Sequence, residues 1–348
     1  MSGEFNFIEK IRRRSDRSGQ RPAVIPDLHL GIGDDTAVLG EESGRETLIT
    51  VDLLVEEVDF RLDYAVPRWL GHKALAVSLS DIAAMGGDPR FALLTLGIPP
   101  SLISGERNGA EHFWEEFFDG YFELAERHGI TLIGGDISAV PAQMTIDSIV
   151  MGHSRKGHAV RRSGAQQGQA IYVTGEIGAA ATGLRLLFAG ERANQSERCL
   201  VQQAIRAQLA PDPRVEFGRR LGRSGLVGAM IDVSDGLAQD LHHICNESRV
   251  GAVIDAGELP VAPCLDLLGL EQAQRLALAL EGGEDYELLF TAARAVEDQL
   301  REMAGPDLRL SRIGTIVDQD SGNSAILIRQ GDEHPHPLKV RGYDHFSR

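Results

Sequence analysis

Six times along this chain of 348 residues an acidic residue closes an apolar run, most often beside glycine: "GIGDD", "TVD", "LSD", "IGGD", "IDVSDG" and "EGGED". One such pair is ordinary turn chemistry, because aspartate caps helices and hydrogen-bonds its own backbone. Six in one chain ask for a further reason. Oxygen ligands gathered without histidine or cysteine suit Mg²⁺, which takes one or two carboxylates and keeps positions for phosphate oxygens. The pattern is that of a phosphate-transfer site.

The rest of the composition agrees. With 43% hydrophobic and 25% charged residues the chain is an ordinary globular one, long enough for roughly two domains. Thirty-nine glycines against 5% aromatics indicate many tight turns or close approaches, which favours an α/β enzyme with glycine loops. A net charge of −16 leaves no footprint for nucleic acid or for an anionic membrane, and a phosphate-bearing ligand then needs metal ions to offset repulsion. The N-terminal "MSGEFNFIEKIRRRSDRSGQ" has no apolar core of signal-peptide length, and no later stretch approaches a membrane span, so a cytoplasmic protein is expected. Cys199, Cys245 and Cys264 lack metal-site spacing and read as reduced core thiols.

Periodicity places the acidic positions on elements. Residues 1 to about 25 read as a short amphipathic helix and a polar linker. "TLITVDLLVEEVDF" reads as a strand. A helix is expected over "VPRWLGHKALAVSLSDIAAMGGDPR", entered at Pro67 and left at Gly86-Gly87. On it Leu70, Ala74, Val77, Asp81 and Ala84 share one face, so Asp81 interrupts an apolar stripe and needs a partner, either Lys73, an arginine or a metal. "EHFWEEFFDGYFELAERHG" is a second amphipathic helix, and "ITLIGG" a strand ending in Asp136. "MTIDSIVMGHS" is another strand, and a change of composition after it sets a domain boundary near 153. "AIYVTGEIG", "GAVIDAG" and "DYELLFTA" read as strands, and "AMIDVSDGLAQDLHHIC" as a strand running into a helix.

Neither nucleotide fingerprint is present, since the glycines at 31 and 33 lack a third and no GxxxxGK[ST] loop occurs. Asp34 reads as a turn residue or a ligand, with Asp35 the better ligand candidate. Ser234 reads as an N-cap, with Asp232 and Asp235 directing carboxylates into the same helix entrance. Arg162, ahead of a glycine loop, matches phosphate geometry or is an ordinary linker arginine. His242 and His243 have no ligand partner at helical spacing and receive no role.

With these segments in order, the chain resembles the bacterial thiamine-monophosphate kinases from "GEFNFIEKI" to "GYDHF", through "GIGDDTAVL", "TVDLLVE", "KALAVSLSDIAAMGGDP", "LIGGD", "RSGAQQGQAIYVTGEIG", "IDVSDGLAQDL" and "GGEDYELLF". The resemblance implies the α/β (α+β) two-domain fold of aminoimidazole-ribonucleotide synthetase, each domain a mixed sheet packed with helices. Residues 1–153 would form an ATP- and Mg-binding dimerisation domain, and 154–348 a domain completing the nucleotide and substrate sites. It further implies a homodimer and an ATP-dependent conversion of thiamine monophosphate to thiamine diphosphate with several Mg²⁺ ions.

By position, Asp35, Thr50, Asp52, Asp81, Asp136, Asp232 and Asp235 resemble the metal-binding residues of that family. Gly135, Asp136, Arg162 and Ser234 resemble its ATP contacts, and Glu284 and Tyr343 its thiamine contacts. One position departs from the family: a stretch like "TLVEGVHF" reads "LLVEEVDF" here, placing Asp59 where a substrate-contacting histidine is usual. The acceptor is itself a phosphate, ionised near neutral pH, so no general base is assigned and direct γ-phosphoryl transfer is expected. The alternatives are another ATP-using enzyme of the same superfamily and a nucleotide-binding protein that performs no transfer.

Overall fold

The computed structural model describes residues 28–30, 34–40, 44–103, 110–193, 196, 198–319, 326–331 and 333–343. The helix and linker expected over residues 1 to about 25, and the glycines at 31 and 33, lie outside them.

Strands β1 (Leu28–Leu30), β2 (Ala37–Gly40), β3 (Arg45–Val55), β4 (Asp88–Ile98), β5 (Thr131–Ala139) and β6 (Thr145–Arg155) form a sheet in the order β1-β2-β3-β6-β4-β5. β4 and β5 run parallel, and the other neighbours antiparallel. Along β3 the period of two is visible, with Leu48, Thr50 and Leu54 buried and Val51 and Leu53 exposed.

Helix α1 (Pro67–Ala84) covers the inner face, with Pro67 in its first turn as the sequence indicated. The predicted stripe understates its burial. Leu75, Ser78, Leu79 and Ile82 are also fully buried, because α1 lies between the sheet, helix α2 (Ala110–His128) and elements of the C-terminal half. α2 also supplies the crossover that the parallel pair β4 and β5 requires. α1 and α2 meet backbone to backbone: a Cβ at Gly71 would lie 1.8 Å from the Phe117 carbonyl oxygen, and one at Gly120 1.7 Å from that of Arg68.

The second sheet joins β7 (Ala170–Thr174), β8 (Val227–Asp232), β9 (Gly251–Asp255), β10 (Leu288–Ala292), β11 (Leu310–Val317), β12 (Ile326–Arg329) and β13 (His336–Pro337) in the order β13-β12-β9-β11-β7-β10-β8. β9 and β12 run parallel. Every residue of the central strands β7 and β10 is buried, as continuous apolar runs require. Helices α3 (Ala179–Phe188), α4 (Cys199–Leu209), α5 (Val215–Ser224), α6 (Leu237–Ser248), α7 (Gln272–Glu281) and α8 (Glu297–Ala304) pack around it. Two mixed sheets packed with helices is the fold class the sequence indicated.

The two halves share a core. Leu75, Phe117 and Tyr121 belong to the same buried cluster as Tyr172, Phe217 and Phe290, and Tyr172 stacks on Phe290 with ring centroids 5.4 Å apart. Three local readings change. β5 continues through Asp136 to Ala139, so that aspartate lies within a strand rather than at its end. β10 begins at Leu288, three residues after Asp285. Cys245 and Cys264 are core thiols, which burial pushes up to about 12 and about 11, whereas Cys199 is exposed at the start of α4. Among the described residues no helix is long and apolar enough to cross a membrane.

Candidate active site

The inner face of β3 presents Thr50 and Asp52 to α1, which returns Ser78, Ser80 and Asp81; β8 ends at Asp232, and Asp35 precedes β2. These elements converge. One carboxylate oxygen from each of Asp35, Asp81 and Asp232 lies within 4.8 Å of the others. Hydroxyls fix the carboxylates in place: Thr50 Oγ1 donates to Asp81 Oδ2, Ser78 Oγ to Asp52 Oδ2 at 2.7 Å, and Ser80 Oγ to Asp232 Oδ2 at 2.6 Å. Asp81 thus takes neither of the protein partners its stripe position offered, since the Lys73 ammonium pairs with Glu284 and Arg162 with Asp35.

Burial and mutual repulsion act together here. Burial foremost, with Asp147 and Asp35 adding repulsion, raises Asp52 to about 6. Burial and then Asp35 raise Asp232 to about 8. Asp81 is pushed well above the carboxylate range by burial and then by Asp52, Asp232 and Asp35. Facing them is Arg162, whose Nη2 donates to Asp35 Oδ1 at 2.6 Å; burial alone would lower its pKa, and Asp35 reverses that. Asp34 serves the turn: it accepts the backbone N–H of Asp35 at 3.1 Å and that of Arg162 at 3.1 Å, and burial raises it to about 7. One guanidinium among these carboxylates leaves negative charge in excess. Asp35 Oδ2 is buried with no hydrogen-bond partner among the described residues. Clustered hard oxygens, excess negative charge and an orphaned carboxylate oxygen fit a hard divalent cation such as Mg²⁺, which Asp35, Asp81 and Asp232 could hold.

The helix entrance after β8 differs from the sequence reading. α6 is capped at Gly236 without a side-chain hydrogen bond, so Ser234 is not its N-cap. Asp232 and Asp235 part company: Asp232 joins Asp35 and Asp81, while Asp235 joins Asp240 and His243 in a second group with ligand atoms within 4.8 Å. His243 therefore does have carboxylate neighbours, one of them three residues earlier on α6. The signal was the D-x-x-H spacing of "DLHH". Burial, then Arg162 and His242, lower His243 to about 3, and burial raises Asp240 well above its ordinary range.

Backbone bonds bring the remaining positions together. The Ser234 carbonyl accepts the Glu284 N–H at 2.8 Å, and the Asp235 carbonyl accepts that of Tyr343 at 3.1 Å. A Cβ on Gly283 would lie 2.3 Å from the Ser234 oxygen, so glycine is what lets these segments touch. Asp285, the next acidic residue, accepts the N–H groups of Gly178 at 2.6 Å and Ala180 at 3.0 Å and so caps α3.

Two positions stand apart. Asp136 is exposed on edge strand β5, and register pairs it with Thr95 and Thr95 with Asp147, on the face opposite Asp52, Ser148, Leu94 and Gly135. Asp59 turns back on its own chain, accepting the Val55 N–H at 2.8 Å.

Residues 33–154 match the family described as AIR synthase related protein, N-terminal domain, and residues 166–326 match its C-terminal domain. The chain is 37% identical over 350 residues to the thiamine-monophosphate kinase of Escherichia coli K12, covering 99% of this chain and 98% of that one. It is 34% identical over 346 residues to that of Bacillus subtilis strain 168, covering 99% of both. Among solved structures, the thiamine-monophosphate kinase of Stenotrophomonas maltophilia K279a superposes with a TM-score of 0.73 at 38% identity, covering 89% of this chain and 96% of that one. AaThiL complexed with AMPPCP and TMP superposes with a TM-score of 0.79 at 28% identity, covering 99% and 97%.

Proposed function

The chain belongs to the thiamine-monophosphate kinase family and is a kinase; we propose that it transfers the γ-phosphoryl group of ATP directly to the phosphate of thiamine monophosphate, forming thiamine diphosphate and ADP. The observation that carries this reading is the convergence of Asp35, Asp81 and Asp232 around an orphaned carboxylate oxygen. In the transfer the bond from the γ-phosphorus to its bridging oxygen breaks as an acceptor phosphate oxygen forms the new one. That acceptor is already ionised near neutral pH, so alignment rather than proton removal is the task.

Asp35, Asp52, Asp81 and Asp232, oriented by Thr50, Ser78 and Ser80, hold magnesium, with Asp235 joining from the α6 entrance; Asp136, on the opposite face of the sheet, is not gathered with them. Magnesium, when bound, supplies charge neutralisation for the triphosphate and the group in flight. Arg162, Ser234 and Gly135 contact ATP. Glu284 and Tyr343 hold the thiamine portion, and the segment bearing Asp59 borders the acceptor phosphate.

A homodimer is part of the same reading. The outer face of the first sheet exposes Val51, Leu53 and Phe91, and register sets Ile149 and Met151 between them. Asp136 and Asp147 lie on that face, so a second copy seated there completes the environment of both. The division of the chain at 153, and a cytoplasmic location suited to ATP and a soluble phosphate ester, belong to this proposal.

Incubation with ATP, Mg²⁺ and thiamine monophosphate, followed by chromatography, tests it. Thiamine diphosphate forming with Mg²⁺ and not with EDTA is the expected result. ATP consumption without thiamine diphosphate would overturn it.

A further inference from the structure

Lys73 is 1% exposed, on α1 beside Leu70, Ala74 and Val77. A buried ammonium is tolerated only when paired and hydrogen-bonded. Its Nζ lies 2.6 Å from Glu284 Oε1 and donates to the Gln208 carbonyl oxygen at 3.2 Å. Gln208, near the end of α4 and also buried, donates its side-chain amide to Glu284 Oε2. Each carboxylate oxygen of Glu284 is thereby held by a different element. Its backbone is held too: Glu284 adopts φ 66°, a left-handed conformation rare for a residue with a side chain, fixed by its N–H bond to the Ser234 carbonyl. Gln208 Oε1 remains buried with no partner among the described residues.

From this arrangement we propose that Lys73 and Gln208 are positioning residues that set the specificity of the acceptor site through Glu284. The inference rests on the reading of Glu284 as a thiamine contact. Lys73 balances the Glu284 charge, so the site reads the acceptor by hydrogen-bond geometry rather than by attraction to a cation. The class of ligand group it selects is an amino-substituted aromatic ring, whose N–H donors meet the fixed, partly exposed carboxylate edge of Glu284. A site that holds fixed acceptors for such donors rejects analogues that cannot supply them.

The test measures KM for thiamine monophosphate and for ATP separately in Lys73→Met, Gln208→Leu, Glu284→Gln and the double variant Lys73→Met/Glu284→Gln. Methionine preserves the length and bulk of lysine, and Glu284 retains partial access to water, so the fold should persist; Gln208→Leu provides a second, uncharged probe. We expect Lys73→Met and Gln208→Leu each to raise KM for thiamine monophosphate about tenfold while leaving that for ATP within about twofold. The double variant should be no worse than Glu284→Gln alone, because Lys73 acts through that carboxylate. A raised acceptor KM in Glu284→Gln with unchanged values in both Lys73→Met and Gln208→Leu would overturn the positioning role alone. An unchanged acceptor KM in Glu284→Gln would overturn the reading of Glu284 and the inference with it. Equal rises in both KM values for Lys73→Met would show a general structural role and overturn it as well.

Discussion

Ser80 Oγ donates to Asp232 Oδ2 at 2.6 Å, tying α1 to the end of β8 across 152 positions of sequence. The bond orients the carboxylate that meets Asp35 and Asp81.

Asp232→Asn keeps an acceptor for Ser80 while removing a ligand charge. We expect turnover to fall roughly 100-fold or more. The metal-free melting temperature should stay level or rise, because a repelled buried charge has gone. Paired measurements of turnover and thermal unfolding check this; near-normal turnover at low Mg²⁺ would count against Asp232 as a metal holder.

ATP affinity should depend on the metal. Several buried carboxylates in a chain of net charge −16 repel a triphosphate unless cations intervene. Titration calorimetry in Mg²⁺ and in EDTA should show binding in the first and little heat in the second, and equal affinity in both would contradict the carboxylate-lined site.

Stability of the metal-free protein should fall with pH. Burial and repulsion raise Asp52 to about 6, Asp34 to about 7 and Asp232 to about 8. Each keeps its proton longer in the folded than in the unfolded state, so the folded state binds more protons between about 4 and 8, and stability drops as pH rises through that window. Mg²⁺ competes with those protons and should flatten or reverse the slope. Urea midpoints at pH 5 and pH 8, with EDTA and with Mg²⁺, decide the matter; a metal-free midpoint that climbs with pH would refute the assignment.

Asp59→Asn retains an acceptor for the Val55 N–H and removes a negative charge beside the proposed acceptor phosphate. KM for thiamine monophosphate should drop about threefold or more, with that for ATP unchanged. A rise instead would assign Asp59 a favourable part in acceptor binding.

How far these features could be read beforehand depends on their range. Pro67, the strand within "TLITVDLLVEEVDF" and the strand-to-helix passage after Asp232 are local, and each appears where its pattern indicates. The acidic recurrences pointed to Asp35, Asp81 and Asp232, which the fold gathers. What escaped was long-range choice. Lys73 had Asp81 eight residues away on its own helix, yet its partner is Glu284, 211 positions on, because only the packing of α1 against the C-terminal half decides which carboxylate it meets. The sequence neighbours of Asp136 say nothing of its face, which the register of β5 with β4 decides. Ser234 has the chemistry of a cap, a role that α6 gives instead to Gly236.

Because α1 is enclosed on nearly every side and carries Lys73 near one end of its site-facing side and Asp81 near the other, it works as a calliper. Eight residues at about 1.5 Å each set the two jaws about 12 Å apart along the axis. Neither jaw can slide without repacking the core. In the proposed reading, where Glu284 meets the acceptor's aromatic end and Asp81 the metal beside its phosphate, the admissible length of an acceptor is set by a rigid rod rather than by an adjustable loop. A relative that served a longer acceptor would have to relocate the ammonium by whole helical turns.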